Sequence, residues 1–416
     1  MPLRLLHTAD WHLGHALHGF ERAHEHARLV EWLLDTIEAE AIDAVLVAGD
    51  VYDAASPPLE AQQLWYRFLV EAWRRTPHLQ VVVIGGNHDS PARLDATDPF
   101  LRAMERLVVV GGVPRGPDGR ALLDRLVVPL RDRRGEVGAW VAAVPFLRAA
   151  DTGAGTEDAA AEAVRRFYAD ALGAARARRE EGQALVAMGH LYLVGTQVSA
   201  LSERQLLVGN QSAISPELFP RDVAYAALGH LHLAQRVGGR EHVRYAGSLL
   251  PLSFAERDYP HGVAVVELEG AVATAVRTVR APRAVELLRV PDGGPAGALD
   301  DVLAALRALP PRGAGPEADR PLVEVRVRID RPEPTLRAQV EEALDGREAR
   351  FARLAVEAAG TGEALGEALA ALRPVAELLP EEVFRAKYAR DFGGSPPDAL
   401  VDDFRALLEA VQGEGA

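Results

Sequence analysis

A chain of 416 residues, 48% hydrophobic and 25% charged, can bury a large core and divides into more than one domain. It has no cysteine, which excludes disulfides, thiolate zinc sites and cysteine-nucleophile chemistry. A formal net charge of -14 is the wrong sign for gripping nucleic acid unaided, and no apolar run approaches the ~20 residues of a membrane span, so a cytoplasmic protein that is not exported is expected.

Directly after Met1-Pro2-Leu3-Arg4 the chain enters a strand that ends at Asp10-Trp11-His12. Helical patterns over residues 25–39 and 59–74 then alternate with the apolar runs Val45-Leu46-Val47-Ala48 and Val81-Val82-Val83-Ile84. These runs end at Gly49-Asp50-Val51-Tyr52-Asp53 and Gly86-Asn87-His88-Asp89. Gly189-His190 and Gly229-His230-Leu231-His232 close two more such runs, and the sheet resumes over residues 243–246 and 262–268. This is the α/β layered pattern. Beyond Pro282 no further Asp or His motif occurs. Strands over 285–290 and 322–329 flank a helix over 299–308, and a strand over 350–357 follows a helix over 335–344, which predicts a small α+β cap with a Pro- and Gly-rich loop at 310–316. Two helices, over 374–390 and 397–411, are separated by Gly393-Gly394-Ser395-Pro396. On the second, Leu400, Phe404, Leu407, Leu408 and Val411 make an apolar stripe that either packs on the chain's own cap or docks a partner. The expected domains are 1–278, 279–372 and 373–416, without an internal repeat.

Five strands thus finish in polar groups, at the place where α/β sheets bind ligands. Asp10, Asp50 and Asn87, with His12, His190, His230 and His232 and with or without His88 as a fifth imidazole, form a mixed oxygen and imidazole set, suited to two divalent transition ions and poor for Ca²⁺ or an iron–sulfur cluster. Two ions about 3.5–4 Å apart can acidify a water and polarise phosphoryl oxygens, the needs of phosphate ester hydrolysis. Asp50 is the natural bridge, because its two carboxylate oxygens can bind separate ions. Mn²⁺ is the expected ion, although Zn²⁺ or Fe²⁺ bind by raw affinity. Asp89 is expected to hydrogen-bond the turn backbone. His15, His18, His24 and His26 read as a solvated helix face, with substrate contact by His15 or His18 the alternative. Arg148 reads as a phosphate contact or a surface ion pair. Arg131, Arg133 and Arg134, like Arg176, Arg178 and Arg179, are ordinary solvated clusters or a DNA stripe. Lys387 is the only lysine and precedes Tyr388, so the chain has no Gly-x-x-x-x-Gly-Lys-[Ser/Thr] loop and any ATP dependence comes from another polypeptide.

In this order the five motifs resemble the calcineurin-like metallophosphoesterases. The resemblance implies a four-layer α/β/β/α sandwich, with one ion held by Asp10, His12, Asp50 and His232 and the other by Asp50, Asn87, His190 and His230. It leaves His88 uncoordinated, acting on the phosphate and the leaving oxygen, with Asp53 orienting it. The stretches His7-Thr8-Ala9-Asp10-Trp11-His12-Leu13-Gly14, Pro145-Phe146-Leu147-Arg148, Ser202-Glu203-Arg204 and Tyr245-Ala246-Gly247-Ser248-Leu249-Leu250-Pro251-Leu252-Ser253-Phe254 are similar to the SbcD-type nuclease subunits. One departure is His261, where a lysine is expected, placed away from the ligands. That branch implies a 3'-5' duplex exonuclease and single-strand or hairpin endonuclease of DNA repair, recombination and replication. It also implies nucleoid association, and a homodimer within a heterotetramer whose SbcC-like coiled-coil ATPase is held by the C-terminal helices. Two other classes are weighed. A small-molecule metallophosphatase or cyclic-nucleotide phosphodiesterase would share the ligands but need no cap or tail, and a non-catalytic scaffold should lack ligands, of which this chain lacks none.

Overall fold

A computed structural model of the chain describes residues 2–96, 106–153, 157–197, 214–330 and 333–358, with single positions between 381 and 404. Ser202-Glu203-Arg204, and Leu407, Leu408 and Val411 of the apolar stripe, lie outside the described residues. The chain separates into two compact units, residues 1–15 with 22–282, and residues 16–21 with those from 283 onward.

In chain order the strands are β1 (Leu3–Thr8), the hairpin β2 (Ala16–Leu17) and β3 (Phe20–Glu21), β4 (Ala44–Ala48), β5 (Gln80–Ile84), β6 (Leu107–Val110), β7 (Val127–Arg131), β8 (Val137–Ala143) and β9 (Ala184–His190). They continue as β10 (Tyr225–Gly229), β11 (Gln235–Val237), β12 (Arg240–Tyr245), β13 (Gly262–Glu269), β14 (Val272–Arg280), β15 (Leu287–Val290), β16 (Gly297–Ala298), β17 (Leu322–Ile329) and β18 (Arg350–Ala358). The first unit holds two six-stranded sheets, ordered β14-β13-β1-β4-β5-β6 and β11-β12-β10-β9-β8-β7. Each has four consecutive parallel strands: β1, β4, β5 and β6 in one, β8, β9, β10 and β12 in the other.

The alternation of strand side chains builds the layers. Leu5, Leu46, Val82 and Ile84 join Val141, Val186 and Leu228 in the core that includes both sheets, while Leu6, Val45, Val47, Val81 and Val83 pack under α1 (Ala23–Ala39) and α2 (Leu59–Arg75) with Leu29, Leu33, Trp65 and Phe68. The helix Glu157–Arg178 packs on β7, β8 and β9. The order is α/β/β/α, as expected, and each fully buried aliphatic side chain stabilises it by roughly 1.5–3 kcal/mol. Polar ties cross between the sheets, among them one made by a histidine of β1. Fully buried His7 donates Nε2–H to the Leu228 carbonyl (3.1 Å) and accepts the Tyr225 hydroxyl at Nδ1 (2.9 Å).

In the second unit β15, β16 and β18 all run parallel to β17, and the helices Leu299–Arg307 and Leu336–Leu344 share its core of Val302, Leu306, Val323, Val325, Val327 and Val340. Buried Glu324 is bracketed by Arg289 (2.6 Å) and Arg353 (2.9 Å). The β2–β3 hairpin groups here, with the Arg350 guanidinium 5.1 Å over the Phe20 ring. In the tail Phe404 stacks on Phe384 at 4.2 Å, whereas Leu400 is exposed. Among the described residues no helix is long and apolar enough to cross a membrane.

Candidate metal centre

Every motif lies at or just after the C-terminal end of a parallel strand: β1, β4 and β5 in one sheet, β9 and β10 in the other. The two sets meet because His190 Nδ1–H donates to the Ala48 carbonyl at 2.9 Å across the sheets. Asp10 and His12, two apart, both enter the site because the extended backbone has ended: their φ values are 52° and 45°, in the left-handed region. Trp11 between them points the other way, against Trp65 and Phe68, with its Nε1–H on Thr8 Oγ1 (2.8 Å). Asp50 (φ 50°) and His230 (φ 104°) are left-handed as well. Such conformations cost a non-glycine residue about 1–3 kcal/mol and persist only where the surroundings enforce them. Here Asp10 N–H bonds Gly49 O (3.0 Å) and His12 N–H bonds Asp50 O (3.1 Å). Gly86 is required by contact, since a Cβ there would lie 2.1 Å from Asp50 Oδ1.

Each imidazole is oriented by what its outer nitrogen bonds. His12 donates Nδ1–H to Asp53 Oδ1 (3.1 Å), His232 donates Nδ1–H to Glu256 Oε1 (2.9 Å), and His190 donates to Ala48 O, so all three offer Nε2 to the site. His230 instead turns Nδ1 inward, 3.0 Å from Asn87 Oδ1 and 3.3 Å from His190 Nε2. Asp50 Oδ2 lies 3.3 Å from His190 Nε2 and 3.7 Å from His12 Nε2, so it faces both halves of the cluster. Ligand atoms of Asp10, His12 and His232 fall within 4.8 Å of one another, as do those of Asp10, Asp50 and His190.

The residues fit divalent cations. His12 Nε2 is buried with no hydrogen-bond partner, a costly arrangement for a polar atom. Asn87 Oδ1, His190 Nε2 and His230 Nδ1 converge as three lone-pair atoms, His190 Nε2 being 2.9 Å from the amide oxygen. Without a cation, a proton must sit among them. Burial alone would lower the His190 pKa, but Asp50, then Asp10, carries it up to about 9. Burial and the His190 charge hold His230 well below its usual value. Burial raises Asp10 to about 7 against the pull of His190 and His232, whereas for Asp50 burial is overcome by His190 and His88 and the carboxyl stays well below its usual range.

Around this cluster some expectations hold and others change. Asp89 accepts the N–H groups of Val51 (3.2 Å), Tyr52 (3.0 Å) and Gly86 (2.9 Å), the turn-holding duty expected of it. Arg148 donates to the carbonyls of Gly86 (3.3 Å) and Asp89 (2.8 Å), bracing that turn from behind. Asp53 touches His88 through its main-chain carbonyl, which takes His88 Nδ1–H at 2.7 Å; its carboxylate serves His12. His26 is not solvated. It shares the buried face of α1 with Leu29, Val30 and Leu33 and donates Nε2–H to Trp11 O (3.2 Å). His15 likewise carries a buried Nδ1. His261 stands nearer the site than expected, 3.1 Å from Glu256 O, with Glu256 in turn on His232. Glu256 was missed altogether. Its only trace in the sequence is an acid closing the Ser253-Phe254-Ala255-Glu256 segment.

Comparison with known proteins covers both units. The calcineurin-like phosphoesterase family model matches residues 3–234, and a type 5 capsule protein repressor C-terminal domain model matches residues 283–392. The SbcD component of the SbcCD nuclease from Rhodobacter capsulatus is 41% identical over 397 residues, 93% of this chain and 94% of that protein. The Escherichia coli K12 protein of that name is 38% identical over 266 residues, 61% of this chain and 62% of its own. The Bacillus subtilis one is 35% identical over 275 residues, 64% and 66% respectively. A dimetal phosphatase structure from Danio rerio aligns over 68% of this chain and 100% of its own with a TM-score of 0.35 at 9% identity. A likeness that runs through the four-layer unit and on into the second unit identifies more than a shared phosphoesterase core: the chain belongs to the SbcD nucleases of the calcineurin-like phosphoesterase family.

Proposed function

We propose that this chain is the nuclease subunit of an SbcCD-type complex, hydrolysing DNA phosphodiesters at two divalent ions in repair and recombination. The observation that supports it most is the convergence of donors from two sheets on one carboxylate, Asp50, which faces His190 on one side and His12 on the other. Asp10, His12, Asp50 and His232 would hold one ion, and Asp50, Asn87, His190 and His230 the other. When bound, the pair supplies positive charge for an anionic ester and acidifies the attacking water. Mn²⁺ suits this donor set.

The chain's own groups do the rest. His88 gives Nδ1–H to Asp53 O, which fixes the ring and leaves Nε2 to hold or deliver a proton at the leaving oxygen. Asp89 and Arg148 keep the Asn87-His88 turn rigid under it. With no phosphate-binding loop and a net charge of -14, the chain depends on a partner for ATP use and for DNA grip, an SbcC-like ATPase docked at the C-terminal helices in a heterotetramer with a homodimer of this chain. Leu400 is the described member of the stripe open to such a partner, since Phe404 is engaged by Phe384.

The test compares Mn²⁺-dependent cleavage of duplex and single-stranded DNA with that of p-nitrophenyl esters, with and without the ATPase. Preference for the small esters in both conditions would overturn the reading. His88→Gln should keep its bound Mn²⁺ while turnover falls by roughly 10²–10⁴. Because His88 also lies within ligand range of His12 and Asp50, loss of metal in that variant would make it a ligand and remove its proposed role.

A further inference from the structure

The four imidazoles of the cluster are not backed alike. His12 and His232 each give Nδ1–H to a carboxylate, Asp53 and Glu256. His190 gives its proton to a neutral carbonyl, and His230 presents the opposite nitrogen. The two carboxylate-backed rings belong to one triad with Asp10, their centroids 5.2 Å apart. We infer that Glu256 is a positioning residue for His232, and that Glu256 and Asp53 together make the Asp10, His12 and His232 position the tighter of the two ion sites. This rests on the two-ion reading above.

The physical reason is that a carboxylate accepting the outer N–H fixes the tautomer and raises the basicity of the inner nitrogen, more so than a neutral carbonyl does. Glu256 is held for that task. It is fully buried, and its second oxygen takes the Leu252 N–H at 2.8 Å. His261 Nε2 lies 3.1 Å from its main-chain carbonyl. The carbonyl of Pro251, the residue before Leu252, receives a hydrogen bond from Arg22, a buried arginine itself clamped by Glu25 at 2.7 and 2.8 Å. A carboxylate pinned at both oxygens cannot swing away from His232. Asp53, about one-third exposed, is the looser support.

The experiment is a Mn²⁺ titration of the chelator-stripped full-length chain, read by equilibrium dialysis with metal analysis, beside thermal unfolding in chelator. Wild type should bind two ions, one more tightly. Glu256→Gln should weaken the tighter ion by roughly 10- to 100-fold and leave the weaker one in place. Asp53→Asn should weaken the same ion by less. Unchanged affinities in both variants overturn the inference, and so does equal weakening of both ions. Should Glu256→Gln unfold in chelator, Asp53→Asn decides alone, by whether the tighter ion is selectively lost. If wild type binds fewer than two ions, the two-ion reading itself fails, an outcome distinct from two ions bound with indifference to Glu256 and Asp53.

Discussion

Replacing His7 with leucine should flatten the acid side of the stability profile. Burial, aided by Arg244 and opposed by the bond to Leu228, pushes the His7 pKa from 6.5 down to about 3 in the folded protein. Between those values the unfolded chain binds a proton that the folded one refuses, so the His7 contribution is complete above pH 6.5 and is lost progressively as the pH falls towards 3. At 1.36 kcal/mol per pH unit, going from pH 7.5 to 5.0 removes about 2 kcal/mol through this group. The leucine variant lacks this slope, and it also loses both cross-sheet hydrogen bonds, at a cost of about 1–3 kcal/mol at every pH. His26, likewise pushed by burial to about 3, is common to both proteins and cancels. Urea unfolding in chelator at pH 7.5, 6.0 and 5.0 measures the effect: wild type should lose about 2 kcal/mol more than His7→Leu over that range. Parallel profiles would refute a neutral imidazole tying the two sheets.

Three further outcomes follow from the geometry. Because Asp10 sits near 7 and His190 near 9, cation binding at pH 7 should expel roughly one to two protons, seen as buffer-dependent heats in calorimetry; no release would contradict the protonated cluster. Gly86→Ala drives a Cβ into Asp50 Oδ1 and should lower Mn²⁺ affinity and cost about 1–3 kcal/mol. Its control, Gly173→Ala, meets nothing within 4 Å on its helix and should be neutral or stabilising, so equal behaviour of the two would remove the steric argument. Leu400→Glu should leave Mn²⁺ binding and unfolding unchanged while abolishing co-purification with the proposed ATPase partner; undiminished co-purification would take Leu400 out of the proposed docking surface.

The strands and the polar residues that end them were legible because apolar runs such as Val45-Leu46-Val47-Ala48 have a local period, and a polar residue straight after one can only emerge at its end. What surrounds these residues is set by contacts distant in sequence. Glu256 meets His232 across 24 positions and Asp53 meets His12 across 41, with no local pattern announcing either. His26 was legible and misread: it lies three and four residues before Leu29 and Val30, on the apolar face, and grouping it with the other histidines by composition hid that period. The β2–β3 hairpin, two residues per strand, is too short to carry any alternation.

The left-handed backbone at Asp10, His12, Asp50 and His230 gives the chain a direction of drift. At each of these positions glycine would relieve the backbone, so selection for foldedness alone pulls towards replacing the side chain. Selection for stability and selection for chemistry therefore oppose each other at the same codons. A lineage released from the chemistry would move off these residues quickly and gain stability as it did so, whereas the surrounding β-branched runs would remain. Laboratory evolution for thermal tolerance without an activity screen should reach these four positions first.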